Sequence, residues 1–132
     1  MRNLGTRTEN FQIKNSNVFN NKINTEQLFE YAIEQANKGY NLKALEIARE
    51  SLISAKKENL YLAIYIHSFM AALSVDFIQY GNARIHIYNA MNRLNKNHYS
   101  YNTDKGYLDA LLRKVENTDR EYKQLEFDAL AA

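Results

Sequence analysis

Apolar residues recur at helical spacing along most of this chain. Leu28, Phe29, Ala32, Ile33 and Ala36 form an i, i+4 stripe, with Glu26, Glu30 and Glu34 on another face. Asn24 followed by Gln27 has the spacing of a capping box, and Gly39 suits a left-handed helix stop. A first helix is therefore predicted from Asn24 to Gly39. Leu45, Ala48, Leu52 and Ala55 repeat at steps of 3 and 4 and predict a second helix to Lys57. Asn59 is the expected cap of a third helix over about 60–80. That stretch is apolar nearly all round, from Leu60 and Ile64 through Met70 to Phe77. It approaches the length of a membrane span, but His67, Ser68 and Asp76 interrupt it, so the expectation is a buried central helix.

Gly81 and Asn82 are expected to break the chain before a fourth helix, whose buried side is Ala83, Ile87, Ala90, Met91 and Leu94, ending near Asn95. After a polar loop, a last helix is predicted from near Asp104, capped by Asn102 or Thr103, with Leu108, Leu111, Leu112 and Val115 inside. Its period weakens at Asp119, so the run through Tyr122, Leu125 and Leu130 is expected to fray or bend. Residues 1–23 show no helical period, only Phe11, Ile13 and Phe19 among polar residues. They read as a flexible or loosely docked arm, extended near Phe11–Ile13. The pattern as a whole predicts an all-α fold with a single helical domain over 24–132, either stacked antiparallel hairpins or a five-helix bundle.

Composition narrows the function classes. The 132 residues make one domain and contain no proline, no cysteine and four glycines. That excludes disulfides, thiolate metal sites, cysteine nucleophiles and glycine-rich phosphate cradles. The first residues carry no apolar run of a secretory signal, which points to the cytoplasm. A net charge of +2 implies no polyanionic partner by itself. It is unevenly spread, because residues 83–101 hold Arg84, Arg93 and Lys96 and no acid.

The second and fourth helices are alike. Gly39 precedes Ala44, Ala48 and Ser51, and Gly81 precedes Ala83, Ile87 and Ala90, with Ala44 and Ala83 standing 39 positions apart. Small side chains at such spacing let a neighbouring helix come close. These residues resemble the tetratricopeptide repeat family, in the longer variant of bacterial regulators, over about residues 25–95. The chain departs from the family pattern in three ways. The proline after the second helix is missing, Leu28 stands where an early aromatic is expected (Tyr31 lies nearby), and Gly81 is so close to Ala83 that the second turn looks shortened. The resemblance implies stacked helix pairs with a concave binding face built from the first helix of each pair, and a last helix covering the end of the stack. Two units are fewer than the about three that such stacks need, so the last helix and the arm complete the core, or the chain forms a homodimer or belongs to a larger protein.

No residues assemble into a catalytic, metal or cofactor site. His67 and His86 lie on neighbouring helices but lack a third ligand at metal spacing, and the reading for both is a packed histidine. Asp76 needs a partner if buried, with Arg84 or His86 across the turn as candidates. Binding remains. A protein or peptide partner would meet Glu30, Tyr31, Glu34, Tyr65 and Phe69, on faces of the first and third helices that the core does not consume. The alternative is a nucleic-acid or nucleoprotein surface of Arg84, Tyr88, Arg93, Lys96 and Tyr99, in which cations neutralise phosphates and rings stack on bases. A small phage-type inhibitor of a host machine fits either surface. The terminal Leu130, Ala131 and Ala132 resemble the end of a bacterial degradation tag, against the reading of an accidental end.

Overall fold

The protein is all-α. A computed structural model describes residues 23–131 and places five helices among them: α1 Thr25–Asn37, α2 Asn41–Lys57, α3 Leu62–Asp76, α4 Tyr80–Asn92 and α5 Tyr101–Ala131. The expected arm, with Phe11–Ile13, lies outside the described residues except for Ile23, which is exposed and non-helical, and so does Ala132. No described helix is long and apolar enough to cross a membrane.

Neighbouring helices pack in order, α1 on α2, α2 on α3, α3 on α4 and α4 on α5, and α3 also touches α5. The expected capping box is present: the Asn24 side chain accepts from the Gln27 amide at 2.8 Å and Gln27 reciprocates at 3.1 Å. Ala44, Ala48 and Ser51 on α2 and Ala83, Ile87 and Ala90 on α4 are all buried, so both small-residue faces lie against their partner helices. The all-round apolarity of α3 follows from its position. Ala63, Ile66 and Met70 join a core with α1 and α2, while Ile64 and Ala71 join a second core with α4 and α5. Its buried serines satisfy themselves on their own helix, Ser68 donating to the Ile64 carbonyl at 2.9 Å and Ser74 to that of Met70 at 2.8 Å.

The two hairpins share one register. α1 and α3 end at Asn37 and Asp76, and α2 and α4 begin at Asn41 and Tyr80, each pair 39 positions apart. The left-handed residue of the turn is Gly39 in the first hairpin (φ 89°) and Ile78 in the second (φ 60°). Both turns close with the same i→i−5 bond, from the Tyr40 amide to the Gln35 carbonyl at 2.9 Å and from Gln79 to Ser74 at 2.8 Å. The expected shortened turn at Gly81 is thus a misreading, since Gly81 lies inside α4 and its hairpin turn has the same length as the first.

Other boundaries also differ from expectation. Asn59 does not cap α3; it is itself left-handed (φ 54°) and ends α2, with the Leu60 amide reaching back to the Ala55 carbonyl at 2.9 Å. The last helix starts at Tyr101, ahead of Asn102, Thr103 and Asp104, and 39 positions after Leu62 opens α3. It then continues unbroken through Asp119 to Ala131.

Candidate functional site: an aromatic groove between α3 and the α4–α5 loop

The first turns of α3 and α5 meet around one carboxylate. Tyr61 and Tyr65, one turn apart at the start of α3, each donate a hydroxyl proton to Asp104 Oδ2 at 2.9 Å, and Ser100 donates to the same oxygen at 2.6 Å. Burial raises the Asp104 carboxyl, but the hydrogen bonds from Ser100, Tyr61 and Tyr65 outweigh it and leave the group below its ordinary value. Burial in turn pushes both tyrosine hydroxyls up. At neutral pH the centre is a carboxylate held by neutral donors. These bonds fasten α5 to α3 across the α4–α5 loop.

That loop lays aromatic rings on the cluster. The His98 ring stacks flat on Tyr61 at 3.8 Å and 6°, Tyr99 leans on His98 at 4.6 Å, and Tyr65 meets Tyr61 edge-on at 5.9 Å. Ser100 Oγ lies 2.8 Å from His98 Nδ1 and fixes the imidazole in this pose. Tyr99 is 96% exposed, so most of its ring is open to a ligand. Beside the stack runs an open groove lined by Asn59, Leu60, Tyr61, Asn92, Arg93, Asn95 and His98. Ser100 touches both His98 and Asp104, yet no acyl-transfer triad results, because the serine proton is committed to the carboxylate and the imidazole does not bridge the two.

The sequence-derived residues separate into three places. Tyr65 and Tyr99, assigned above to different surfaces, belong to this one cluster, with Arg93 lining its groove and Lys96 exposed on the same loop. On the neighbouring face Phe69 meets Phe29 edge-on at 5.5 Å, linking α3 to α1. Glu30 is exposed there, Glu34 pairs with Lys38 at 3.6 Å, and Lys43 sits over the Tyr31 ring at 5.8 Å. Arg84 and Tyr88 are elsewhere. Arg84 pairs with Glu116 and Asp119 of α5, and Tyr88 is exposed on α4. Hydrogen bonding to Asp119 and Glu116 raises the guanidinium, and hydrogen bonding to Arg84 lowers the Asp119 carboxyl, so this cation is already neutralised. Asp76 is exposed, and neither proposed partner serves it.

His67 and His86 do come together, their Nδ1 atoms 3.0 Å apart between α3 and α4. Among the described residues no group of three or more histidine, aspartate or glutamate side chains is placed to hold a metal. Sequence reading missed Tyr61, Ser100 and Asp104. The i, i+4 pairs Tyr61–Tyr65 and Ser100–Asp104 were visible signals, but their convergence needs the fold. No family model matches the chain, and no curated protein or solved structure matches it either.

Proposed function

We propose that this chain is a non-enzymatic, cytoplasmic interaction module of tetratricopeptide-like design that binds an extended protein segment. The observation that carries the reading is the aromatic stack of Tyr61, His98 and Tyr99 beside the groove of Asn59, Asn92 and Asn95. Carboxamides offer both donors and acceptors, which suits a peptide backbone, and an exposed tyrosine supplies contact area at low entropic cost. The 39-residue register of the hairpins supports the repeat design. It puts α1, α3 and α5 side by side through Phe29–Phe69 and the tyrosines on Asp104. A peptide would extend from the stack along that face towards Phe69 and Glu30.

The nucleic-acid reading has less support, because Arg84 is consumed by α5, which leaves Arg93 and Lys96 of its three cations to accompany the rings. The test is retention from a nuclease-treated native lysate on the full chain, compared with Tyr99→Ala and Asn95→Ala. A protein retained by the wild type at both low and high salt, and lost from both variants, is the expected result. Retention of nucleic acid that collapses with salt and depends on Arg93 and Lys96 would replace this reading.

A further inference from the structure

The groove beside the aromatic stack has one permanently charged side chain on its walls, the Arg93 guanidinium, and no acid among the described residues that line it. It measures about 470 Å³, within the roughly 300–1,000 Å³ of ligand clefts. Among the described residues the Arg93 side chain forms no ion pair and no hydrogen bond. Arg84, earlier on α4, shows the contrast, since two carboxylates of α5 hold it.

The neighbourhood supplies no counter-charge. No aspartate or glutamate occurs in the sequence between Asp76 and Asp104. Asp104 is already held by Tyr61, Tyr65 and Ser100, and neither it nor the exposed Glu58 lines the groove. A second cation stands close by instead. Burial holds His67 down with the help of Lys56 and Arg93, so both cations lie near that ring. The carboxamides tilt the same way. The Asn97 amide donates to Asn95 Oδ1 at 2.9 Å, with the Asn95 NH2 group left for a ligand. Asn59 and Asn92 bring donors and acceptors alike, so donors are in excess.

Such walls complement a ligand that is rich in acceptors and negatively charged. A carboxylate matches the planar guanidinium with two parallel N–H···O bonds. A phosphate is the poorer match, because phosphorylated segments are taken by clusters of arginines, and Arg93 is the one arginine among the described lining residues. We propose that the protein segment bound here is acidic, setting an aspartate or glutamate side chain on Arg93 beside the exposed ring of Tyr99. This rests on the reading of the groove as a peptide site and adds the residue class that the site selects.

Fluorescence anisotropy of the full chain with positional-scanning mixtures of fluorescein-labelled hexapeptides tests it. Amidated C-termini ensure that side chains supply every carboxylate. Mixtures with Asp or Glu fixed at one position should bind the wild type at least about tenfold more tightly than those with Asn or Gln there. Arg93→Gln should erase the preference, and Arg93→Glu should turn it towards Lys and Arg at the same position. Arg93→Lys keeps the charge without the fork, so it should retain a weakened preference for acids, and it decides the matter if the other two variants do not fold. Binding without an acidic preference, a preference that survives Arg93→Gln, or its loss in folded Arg93→Lys overturns the proposal while leaving a peptide site. So does selection of phosphoserine mixtures over those with Asp or Glu. Binding of no mixture at all overturns it together with the peptide reading.

Discussion

Gly39 and Ile78 hold the same left-handed backbone position in successive hairpins, and only one of them is a glycine. A β-branched residue at positive φ brings its side chain against its own backbone, at a cost of about 1–2 kcal/mol. Ile78 is half exposed, so little burial offsets that strain. Ile78→Gly should therefore stabilise the protein by about 0.5–1 kcal/mol, the entropy of the added glycine taking back part of the gain. Gly39→Val should destabilise it by about 1–2 kcal/mol. Urea denaturation of both variants checks the pair, and equal or reversed shifts would contradict the shared turn.

The histidine pair makes stability depend on mildly acidic pH. Burial, reinforced by Lys56, His86 and Arg93, holds His67 down to about 3, against an ordinary value of 6.5. Burial, with Lys56 and Arg49, lowers His86 too. Between those values the unfolded chain binds a proton at His67 that the folded chain does not. The contribution is thus complete above pH 6.5 and is lost as pH falls towards 3. The slope is up to about 1.4 kcal/mol per pH unit for each such group. Over about pH 4.5–6.5, above the range where Asp104 and Asp119 titrate, urea midpoints should fall with pH for the wild type and fall less steeply for His67→Leu, in which His86 remains. Identical slopes would sink the assignment.

Arg84 is the electrostatic clasp between α4 and α5, bridging Glu116 and the buried Asp119, which Lys123 also approaches at 3.5 Å. Arg84→Gln should lower the thermal midpoint and speed amide exchange around Asp119 while leaving α1 and α2 protected. Asp119 titrates below the usual carboxylate range, so this stabilisation is present above the unfolded value near 3.8 and fades as pH drops further. Asp119→Asn should remove that acid-side loss without altering the slope caused by the histidines. Uniform loss of protection across all five helices would show that α5 is not held separately.

What could be read in advance depended on how local each signal was. The capping box of Asn24 and Gln27 is complete within four residues and was legible, as were the small-residue faces of α2 and α4, which express one period on one helix. The α3–α4 turn was not, because the backbone placed its left-handed residue at Ile78 while Gly81, two residues before Ala83, drew the eye. Continuity of α5 was missed for a different reason. An apolar period marks a buried face, and beyond Asp119 little of α5 is buried, so a continuous helix lost its pattern. The site was legible only in fragments: Tyr65 and Tyr99 stood out as surplus aromatics, but the carboxylate that holds Tyr65 lies 39 positions beyond it and announced nothing by itself.

The alanines at the hairpin crossings give the repeat register a quantitative check. Ala71 is wholly buried between α3 and α4, where a larger side chain must push two helices apart, and Ala71→Leu should cost about 1–3 kcal/mol. Ala110 holds the same register on α5, and it is exposed, with no other helix over it among the described residues. Ala110→Leu should change stability by no more than about 0.5 kcal/mol. The contrast separates two readings of α5 that its length alone does not. If residues 119–131 folded back over their own helix in solution, Ala110 would be as enclosed as Ala71, and the two substitutions would cost alike. Parallel urea titrations of the two variants, read as the difference between their unfolding free energies, decide between a straight third unit and a closed one.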